Sequence, residues 1–255
     1  MSLLRPSRPR GGRWPVSVAW LALALLVLAA LLMAAAGPAY RLGLLPLGDA
    51  FGLLRYGAYA AAGAAGVGLI ALVVATFCRR LRAALAGGLV IVAVAGMMTV
   101  PWVHWQRAQQ APPIHDITTD TEDPPAFEAL ADAREAAPNA VDYPGETVAR
   151  QQREAYPDIQ PIDLDISRDS ALSVAEAAAL DLGWELVSVT DGRIEATDTT
   201  TWFGFKDDVV IRLTETDDGV RVDVRSASRM GRGDVGANAA RIRKYRVALE
   251  RRVRR

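Results

Sequence analysis

The chain has 255 residues, a formal net charge of zero and a single cysteine, Cys78, so an intramolecular disulfide is excluded. The zero net charge is the sum of a basic first part and an acidic second part, because 28 of the 29 acidic residues but only 20 of the 29 basic residues lie after residue 103. It therefore excludes no class of partner. Residues 14–103 carry few charges and long apolar runs, whereas residues 104–255 are polar and charged. This break predicts a membrane part followed by one water-soluble domain.

Three segments of the first half are long enough to cross a bilayer core, which takes about 20 apolar residues. They cover residues 16–36, 56–78 and 83–103, and none contains a charged residue. Such spans satisfy their backbone hydrogen bonds internally only as helices, so we predict about three transmembrane helices within a membrane region over residues 1–105. A cleaved signal peptide at the first segment stays open as an alternative, and it would leave a two-helix hairpin.

The charges beside these segments predict their orientation. An arginine-rich stretch without an acidic residue precedes the first segment, at residues 5–13, and another separates the second from the third, at residues 79–82. Basic flanks favour the cytoplasm. We therefore expect a multi-pass protein of the cytoplasmic (inner) membrane, with a cytoplasmic N-terminus and a periplasmic, extracytoplasmic C-terminal domain.

The soluble half begins with a stretch that we predict to be a connector on the domain surface, residues 106–125. Two proline pairs, at residues 112–113 and 124–125, break helices there. The domain proper is predicted to cover residues 126–255. Residues 126–135 are predicted to form a short helix, and residues 138–160, with three prolines, to be irregular.

From Ile162 the pattern becomes regular. Alternation predicts a strand at 162–166, and a helix at 171–182 could be capped by Ser170 or Ser173. Two hairpins follow, at 185–199 and 208–226, and a last helix is predicted after Asp234 and up to about residue 253. The order predicts an α+β domain with a mostly antiparallel sheet, helices on one face and a long C-terminal helix.

Three segments resemble one bacterial family, recorded as domain of unknown function 1499. They are PPIHDITTDTEDPPAF (112–127), TWFGFKDDVVIRL (201–213) and VDVRSASRMGRGDVGANAARIRKY (222–245). The resemblance covers residues 112–247, and transmembrane spans before such a domain fit some members. It implies no established activity, cofactor or site residue.

The turn before the last helix is the first candidate site. Hydroxyls, glycines and arginines ahead of a helix could bind an anion such as a small molecule or a lipid headgroup. The alternative is a tight structural turn, in which Arg225 pairs with Asp208 or Asp223 and Asp234 occupies the positive helix end. The candidate residues are Arg225, Ser226, Ser228, Arg229, Arg232, Asn238 and Arg241.

Carboxylates on the second hairpin form the next candidate. Paired carboxylates can act as acid and base if burial separates their pKa values, whereas cross-strand ion pairs on a solvated sheet face explain the same alternation. The cluster consists of Asp207, Asp208, Arg212 and Asp223.

Three further candidates remain. Oxygen-rich residues 115–123 could hold calcium, but their spacing matches no calcium loop, turn hydrogen bonds are the favoured explanation and no metal site is predicted. Trp202, Phe203 and Phe205 could line an apolar groove or pack in the core. The basic tail at residues 251–255 could contact anionic lipid.

Several catalytic patterns are missing from the sequence: a phosphate loop with lysine, a Cys/His metal spacing and a nucleophile elbow. No cofactor and no nucleic-acid partner are predicted. The leading hypothesis is a membrane-anchored extracytoplasmic binding or interaction module for an anionic ligand, a lipid or a membrane protein partner. The alternatives are a hydrolase-like enzyme using the paired carboxylates and a structural subunit of a membrane complex.

Overall fold

The structure is a computed structural model that describes residues 12–254. It divides the chain into two compact units, Met1–Trp105 and Gln106–Arg255. The N-terminal unit contains α1 (Trp14–Arg41), α2 (Leu47–Phe77) and most of α3 (Leu81–Gln110). All three helices are long and apolar enough to cross a membrane, which confirms the predicted number of spans. The arginines at positions 5, 8 and 10 lie outside the described residues.

Each helix is longer than the apolar segment that predicted it, because a helix continues past the lipid core into the interfacial region. α2 begins at Leu47 rather than near residue 56, and α3 ends at Gln110 rather than near residue 103. Small residues let α2 and α3 approach closely. A Cβ on Gly87 would lie 2.5 Å from the carbonyl oxygen of Gly68, so the glycines serve packing between these helices.

The C-terminal unit is an α+β domain built on one antiparallel sheet, as predicted. The strands are β1 (Asp116–Thr118), β2 (Ile162–Leu164), β3 (Glu185–Thr190), β4 (Arg193–Thr199), β5 (Lys206–Thr216) and β6 (Gly219–Ser228). The sheet order is β1-β6-β5-β4-β3, and β2 pairs with the same edge of the sheet as β1, along the first part of β6. The helices are α4 (Ala131–Glu135), α5 (Glu146–Ala155), α6 (Arg168–Asp181) and α7 (Ala237–Val253).

One face of the sheet forms the hydrophobic core with α6 and α7. Val209, Ile211 and Leu213 point to this face from β5, as their alternation predicts, and all three are buried. Tyr245 of α7 is fully buried and stacks on Trp184 with ring centroids 5.3 Å apart. The core lies on one side of the sheet because both long helices return to that side.

The prediction of a surface connector was wrong for residues 116–118. They form β1, which pairs with β6 and is buried, with Ile117 opposite Ser226. The prolines flank this strand without interrupting it. The side chain of Gln152 binds the outer edge of β1, accepting from the Thr118 N–H at 2.9 Å and donating to the Thr118 carbonyl at 2.6 Å.

The prediction of an irregular stretch at 138–160 was also wrong, because α5 occupies residues 146–155 between two prolines that bracket it. α6 begins earlier than predicted and is capped by Ser167, whose hydroxyl accepts the Ser170 N–H. The last helix lies after Asp234 as predicted, but it begins at Ala237 and its N-cap is Gly236, at φ 79°, rather than Asp234. The Asp234 carboxylate accepts the N–H groups of Gly236 at 2.8 Å and Asn238 at 2.6 Å.

Candidate functional site

The second face of the sheet is covered by residues 119–143, which we call the polar cover. Phe127 and Leu130 of the polar cover pack on Val210 and Ala227 of the sheet. Asp208, at 0% exposure, and Arg225, at 2%, lie beneath it. The cross-strand ion pairs predicted for this face exist, but the expectation that the face is solvated was wrong, since the polar cover removes it from water.

Arg225 pairs with neither Asp208 nor Asp223, in contrast to the predicted turn arrangement. Its guanidinium binds both carboxylate oxygens of Asp116, with Nε donating at 3.0 Å and Nη2 at 2.8 Å. It also donates to the carbonyl oxygens of Pro125 and Val141, at 3.1 and 2.8 Å. Because β1 brings Asp116 beside β6, one arginine joins β1 to β6 and fastens the polar cover to the sheet at Pro125 and Val141.

Asp208 is held from two sides. Its Oδ2 accepts from Arg134 at 3.0 Å and from Arg229 Nε at 2.8 Å. Its Oδ1 accepts from Arg229 Nη2 at 2.9 Å and from the Thr197 hydroxyl at 2.8 Å. A carboxylate has about four acceptor positions, so these four bonds saturate Asp208. Burial lowers the pKa of the Arg134 guanidinium, and the charge of Asp208 opposes that shift.

Asp223 forms a third ion-pair centre on the same face. It accepts from Arg212 at 3.1 Å and from Arg221 Nε at 3.2 Å. Both arginines also reach Asp120 of the polar cover, at 3.2 and 3.0 Å. Arg212 continues to Asp123 at 2.7 Å. The centre therefore ties the polar cover to β5 and β6 in the same manner as Arg225 does.

Asp207 and Asp208 do not form a carboxylate pair, which corrects the interpretation of the two as one acid–base cluster. Neighbouring residues of a strand point to opposite faces, and Asp207 points toward α7. Asp207 binds Arg241, which also reaches Asp198 at 2.7 Å. Burial alone would lower the pKa of Arg241, but these two carboxylates outweigh it and leave the pKa above its ordinary value.

Several residues of the predicted anion cradle do meet, in a cluster between β6 and α7. The Ser226 hydroxyl donates to Asn238 Oδ1 at 2.7 Å, and Arg241 donates to the Ser226 oxygen at 3.0 Å. Asn238 Nδ2 donates to the Ser228 hydroxyl at 3.0 Å and to the His115 carbonyl at 2.9 Å. These polar groups are buried and satisfy one another.

The remaining candidates separate. Of the residues considered for calcium, Asp116 belongs to the ion pair with Arg225. Asp120 accepts the N–H groups of Glu122 and Asp123, each at 3.0 Å, as in the turn that we predicted as the alternative to a calcium site. Within residues 12–254, no group of three or more His, Cys, Asp or Glu side chains could hold a metal ion. In the basic tail, Arg252 pairs with Asp181 and Arg254 with Glu250, whereas Arg255 lies outside the described residues.

The aromatic trio divides between the interior and the surface. Phe203 is buried and stacks on Phe205 with centroids 5.0 Å apart. Trp202 packs edge-on against Phe203 and remains 44% exposed. Packing among the three rings therefore accounts for Phe203, and Trp202 presents an amphipathic ring to the outside.

One end of the sheet, which we call the basic end, consists of the β4–β5 loop, Lys206 and the loop at residues 229–236. Its exposed basic residues are Lys206 and Arg232. The Arg229 N–H donates to the Lys206 carbonyl at 3.1 Å, which joins the two loops. The side chain of Arg229 is 18% exposed, whereas Lys206 and Arg232 are exposed. Ile114 also lies at this end, since the Asp234 N–H donates to the Ile114 carbonyl at 3.1 Å.

Sequence reasoning missed three contributors. Arg134 lies in a helix of five residues, Asn139 in a stretch predicted to be irregular, and Lys206 at a strand start. Asn139 Nδ2 donates to the carbonyl oxygens of Ser228 at 2.9 Å and Gly231 at 3.0 Å, and so shapes the loop at 229–236. No local pattern identifies Arg134 or Asn139, because their partners on the sheet, Asp208 and Ser228, are more than 70 residues away in the chain.

Three apolar helices followed by a sheet with two buried faces define a membrane protein with one α+β domain. The family model described as "Protein of unknown function (DUF1499)" matches residues 116–249, which is more than half of the chain. The chain belongs to this family, as the resemblance of its three segments predicted. No curated protein matches the chain. The match begins at β1 and ends within α7, so it covers the sheet, the polar cover and the basic end.

Proposed function

We propose that the protein is a membrane-anchored binding module whose C-terminal unit takes an anionic ligand, a small molecule or a lipid headgroup, at the basic end. The observation that carries this proposal is a contrast in how the arginines are used. Those of the polar cover and sheet are paired with carboxylates, whereas Lys206 and Arg232 are exposed and pair with no carboxylate in residues 12–254. Exposed cations without partners attract anions.

The backbone of the loop at 229–236 adds support. Val235 has φ 56°, in the left-handed region, where a β-branched side chain is strained. Residual backbone strain of this kind is concentrated at binding and catalytic sites. Val235 lies three residues after Arg232, in a loop that the hydrogen bonds of Asn139 and Asp234 hold in place. The predicted cradle residues Ser226, Ser228, Asn238 and Arg241 then act as the buried support of the loop. Arg232 is its outer cation, whereas Arg229 is held by Asp208.

The same geometry gives less support to the enzyme hypothesis. All four acceptor positions of Asp208 are occupied, so none is free to take a substrate proton. Asp223 is divided between two arginines, and Asp207 binds Arg241. A carboxylate held by guanidinium groups is suited to fixing a structure rather than to exchanging protons.

The extracytoplasmic placement of the C-terminal unit rests on the arginine bias at residues 5–13 and 79–82. A reporter enzyme that is active only outside the cytoplasm, fused after Arg255, is expected to be active. Activity only when it is fused at the 79–82 turn would reverse the orientation.

The binding proposal is tested on residues 106–255, which form a compact unit with its own hydrophobic core. We expect inorganic phosphate and dihexanoyl phosphatidylglycerol to raise the melting temperature, because a ligand that binds only the folded state stabilises it by mass action. Arg232→Gln and Lys206→Gln are expected to weaken this shift. Lys244→Gln is the matched control, since Lys244 is also exposed but lies on α7.

The outcomes separate the hypotheses. A shift with phosphate and with the lipid points to a phosphate site, and a shift with the lipid alone points to a headgroup site with apolar contacts near Trp202. No shift with either ligand, or an equal loss in Lys244→Gln, would remove the anion site. The hypothesis of a structural subunit, recognised by co-purifying proteins, would then take its place.

A further inference from the structure

A groove of about 610 Å³ lies in the N-terminal unit, between the first turns of α1 and α3. Val16, Trp20 and Leu23 line it from α1, and Ala83 and Ala86 line it from α3. The walls are therefore apolar, and Trp20 is exposed beside them. A groove of this composition at the surface of a membrane helix bundle faces acyl chains rather than water.

The rim of the groove has the opposite character. The turn between α2 and α3 contributes Arg79 and Arg80, the first turn of α3 contributes Arg82, and all three line the groove. Asp49 is the only acidic residue in the sequence from Met1 to Trp105, and it lies in the first turn of α2, at the other end of that helix. The rim is therefore rich in positive charge, and no acidic residue lies close to it in the sequence of this unit.

Arg79 occupies a backbone position where glycine is the usual residue. Its φ is 56°, and α2 ends in the Schellman arrangement: the Arg79 N–H donates to the Thr76 carbonyl at 3.0 Å, and the Arg80 N–H to the Ala75 carbonyl at 2.8 Å. An arginine there carries a conformational cost that glycine would avoid. A strained residue that supplies a charge to the rim of a groove indicates a role for that charge.

We propose that this groove binds one anionic phospholipid, with its phosphate at the arginine rim and an acyl chain along the apolar wall between α1 and α3. The charge of the rim selects an anionic headgroup, and the wall selects a lipid over a free phosphate. The inference does not depend on which side of the membrane the turn faces, nor on ligand binding at the basic end. Clusters of arginine next to membrane helices recognise anionic headgroups in this manner.

The test uses the full-length chain in neutral detergent, with bound lipid counted by native mass spectrometry. Dioleoyl phosphatidylglycerol is the probe, dioleoyl phosphatidylcholine has the same chains with a neutral headgroup, and glycerol 3-phosphate is the soluble phosphate. We expect the anionic lipid to bind most tightly. Arg79→Gly and Arg82→Gln should each weaken it about fivefold, because one basic residue near a headgroup contributes about that factor.

Arg79→Gly keeps the test interpretable. Glycine relieves the positive φ, so this variant should fold at least as stably as the parent protein while it loses the lipid. Arg41→Gln is the matched control, since Arg41 is exposed at the other end of α1. Unchanged phosphatidylglycerol binding in both rim variants, an equal loss in Arg41→Gln, equal binding of phosphatidylcholine, or full competition by glycerol 3-phosphate would each overturn the proposal.

Discussion

The face of the sheet under α6 and α7 and the face under the polar cover are both buried, but by different chemistry. The first is a continuous apolar core of residues such as Val209, Ile211 and Val222. The second has only a small apolar cluster around Phe127 and is otherwise closed by arginine–carboxylate pairs. Hydrophobic contact is non-directional, whereas a guanidinium fork binds a carboxylate in a defined geometry.

The two faces differ in how strictly they determine the position of the residues that cover them. An apolar core accepts residues of similar volume and tolerates repacking. Arg225 can be satisfied only by Asp116 together with the carbonyl oxygens of Pro125 and Val141, which fixes the path of the polar cover residue by residue. Breaking a buried ion pair is costly, although replacing the whole pair by apolar residues is often neutral. The polar face is therefore expected to respond to single and double substitutions in opposite ways.

The largest effect is expected for Arg225→Met. It leaves the Asp116 carboxylate, 1% exposed, without its guanidinium partner, and it should lower the free energy of unfolding by about 3–5 kcal/mol. On the apolar face, Ile242→Val removes one buried methyl group and should cost about 0.5–1.5 kcal/mol. Urea unfolding of residues 106–255 measures both values.

The double variant Arg225→Met with Asp116→Leu makes this comparison sharper. It removes both charges and should recover about 2–3 kcal/mol of the loss in the single variant, because no buried charge is left without a partner. Additive losses in the double variant would contradict the role of Asp116 as the partner of Arg225. They would also indicate that the polar cover is held by its other contacts.

The apolar face was predictable from the sequence because its information is local. Alternation in β5 and β6 and the turns between them identify strands, faces and the antiparallel order without knowledge of distant contacts. The polar face was not predictable in the same way, since the alternation of Asp208, Arg212 and Asp223 shows only that these residues share a face. Whether water or the polar cover lies above them depends on residues 119–143, which have no periodic pattern.

A smaller effect is expected from a comparison of one buried tyrosine hydroxyl on each side of the sheet. The Tyr245 hydroxyl donates to the Ala175 carbonyl at 3.2 Å, whereas the buried Tyr143 hydroxyl, beside Arg225, has no hydrogen-bond partner in residues 12–254. Burial raises the pKa of Tyr143 to about 12. Tyr245→Phe should cost about 1 kcal/mol, and Tyr143→Phe should be neutral or stabilise slightly.

Thermal unfolding of the two phenylalanine variants under identical conditions measures this difference. Equal losses would indicate that the Tyr143 hydroxyl is satisfied in solution. A larger loss in Tyr143→Phe would assign the polar cover a hydrogen bond that the structure does not show. The comparison is clean because each substitution removes one oxygen and leaves the ring in place.

The candidate site was predictable only where its contacts join residues that are close in the sequence. Ser226, Ser228, Asn238 and Arg241 meet because a strand and the helix after it are close in the chain. The partner of Arg225 lies 109 residues away, and sequence spacing offered nearer carboxylates that point elsewhere. A long-range ion pair leaves no trace in spacing, so assigning it requires the fold.

The smallest expected effect concerns Asp234, a carboxylate on the helix-covered side that pairs with no arginine among residues 12–254. Burial raises its pKa in the folded state, and its two bonds to backbone N–H groups offset this only in part. The folded state then holds the proton more tightly than the unfolded state, whose pKa is about 3.9. Stability contributed by the protonated group is therefore lost as the pH rises from about 4 through the folded-state pKa.

Asp234→Asn removes this titration. It keeps one acceptor oxygen and places an NH2 donor where the other oxygen accepted, so one of the two N–H groups loses its partner at every pH. That loss is independent of pH, so the stability of the variant relative to the parent should rise from about pH 4 up to the folded-state pKa and stay constant above it. The lowered pKa of Asp158 beside Arg243 gives the opposite slope, but it is present in both proteins and cancels in the difference. Urea unfolding of both proteins from pH 4 to pH 8 measures this difference, and a value independent of pH would show that burial does not penalise the Asp234 charge.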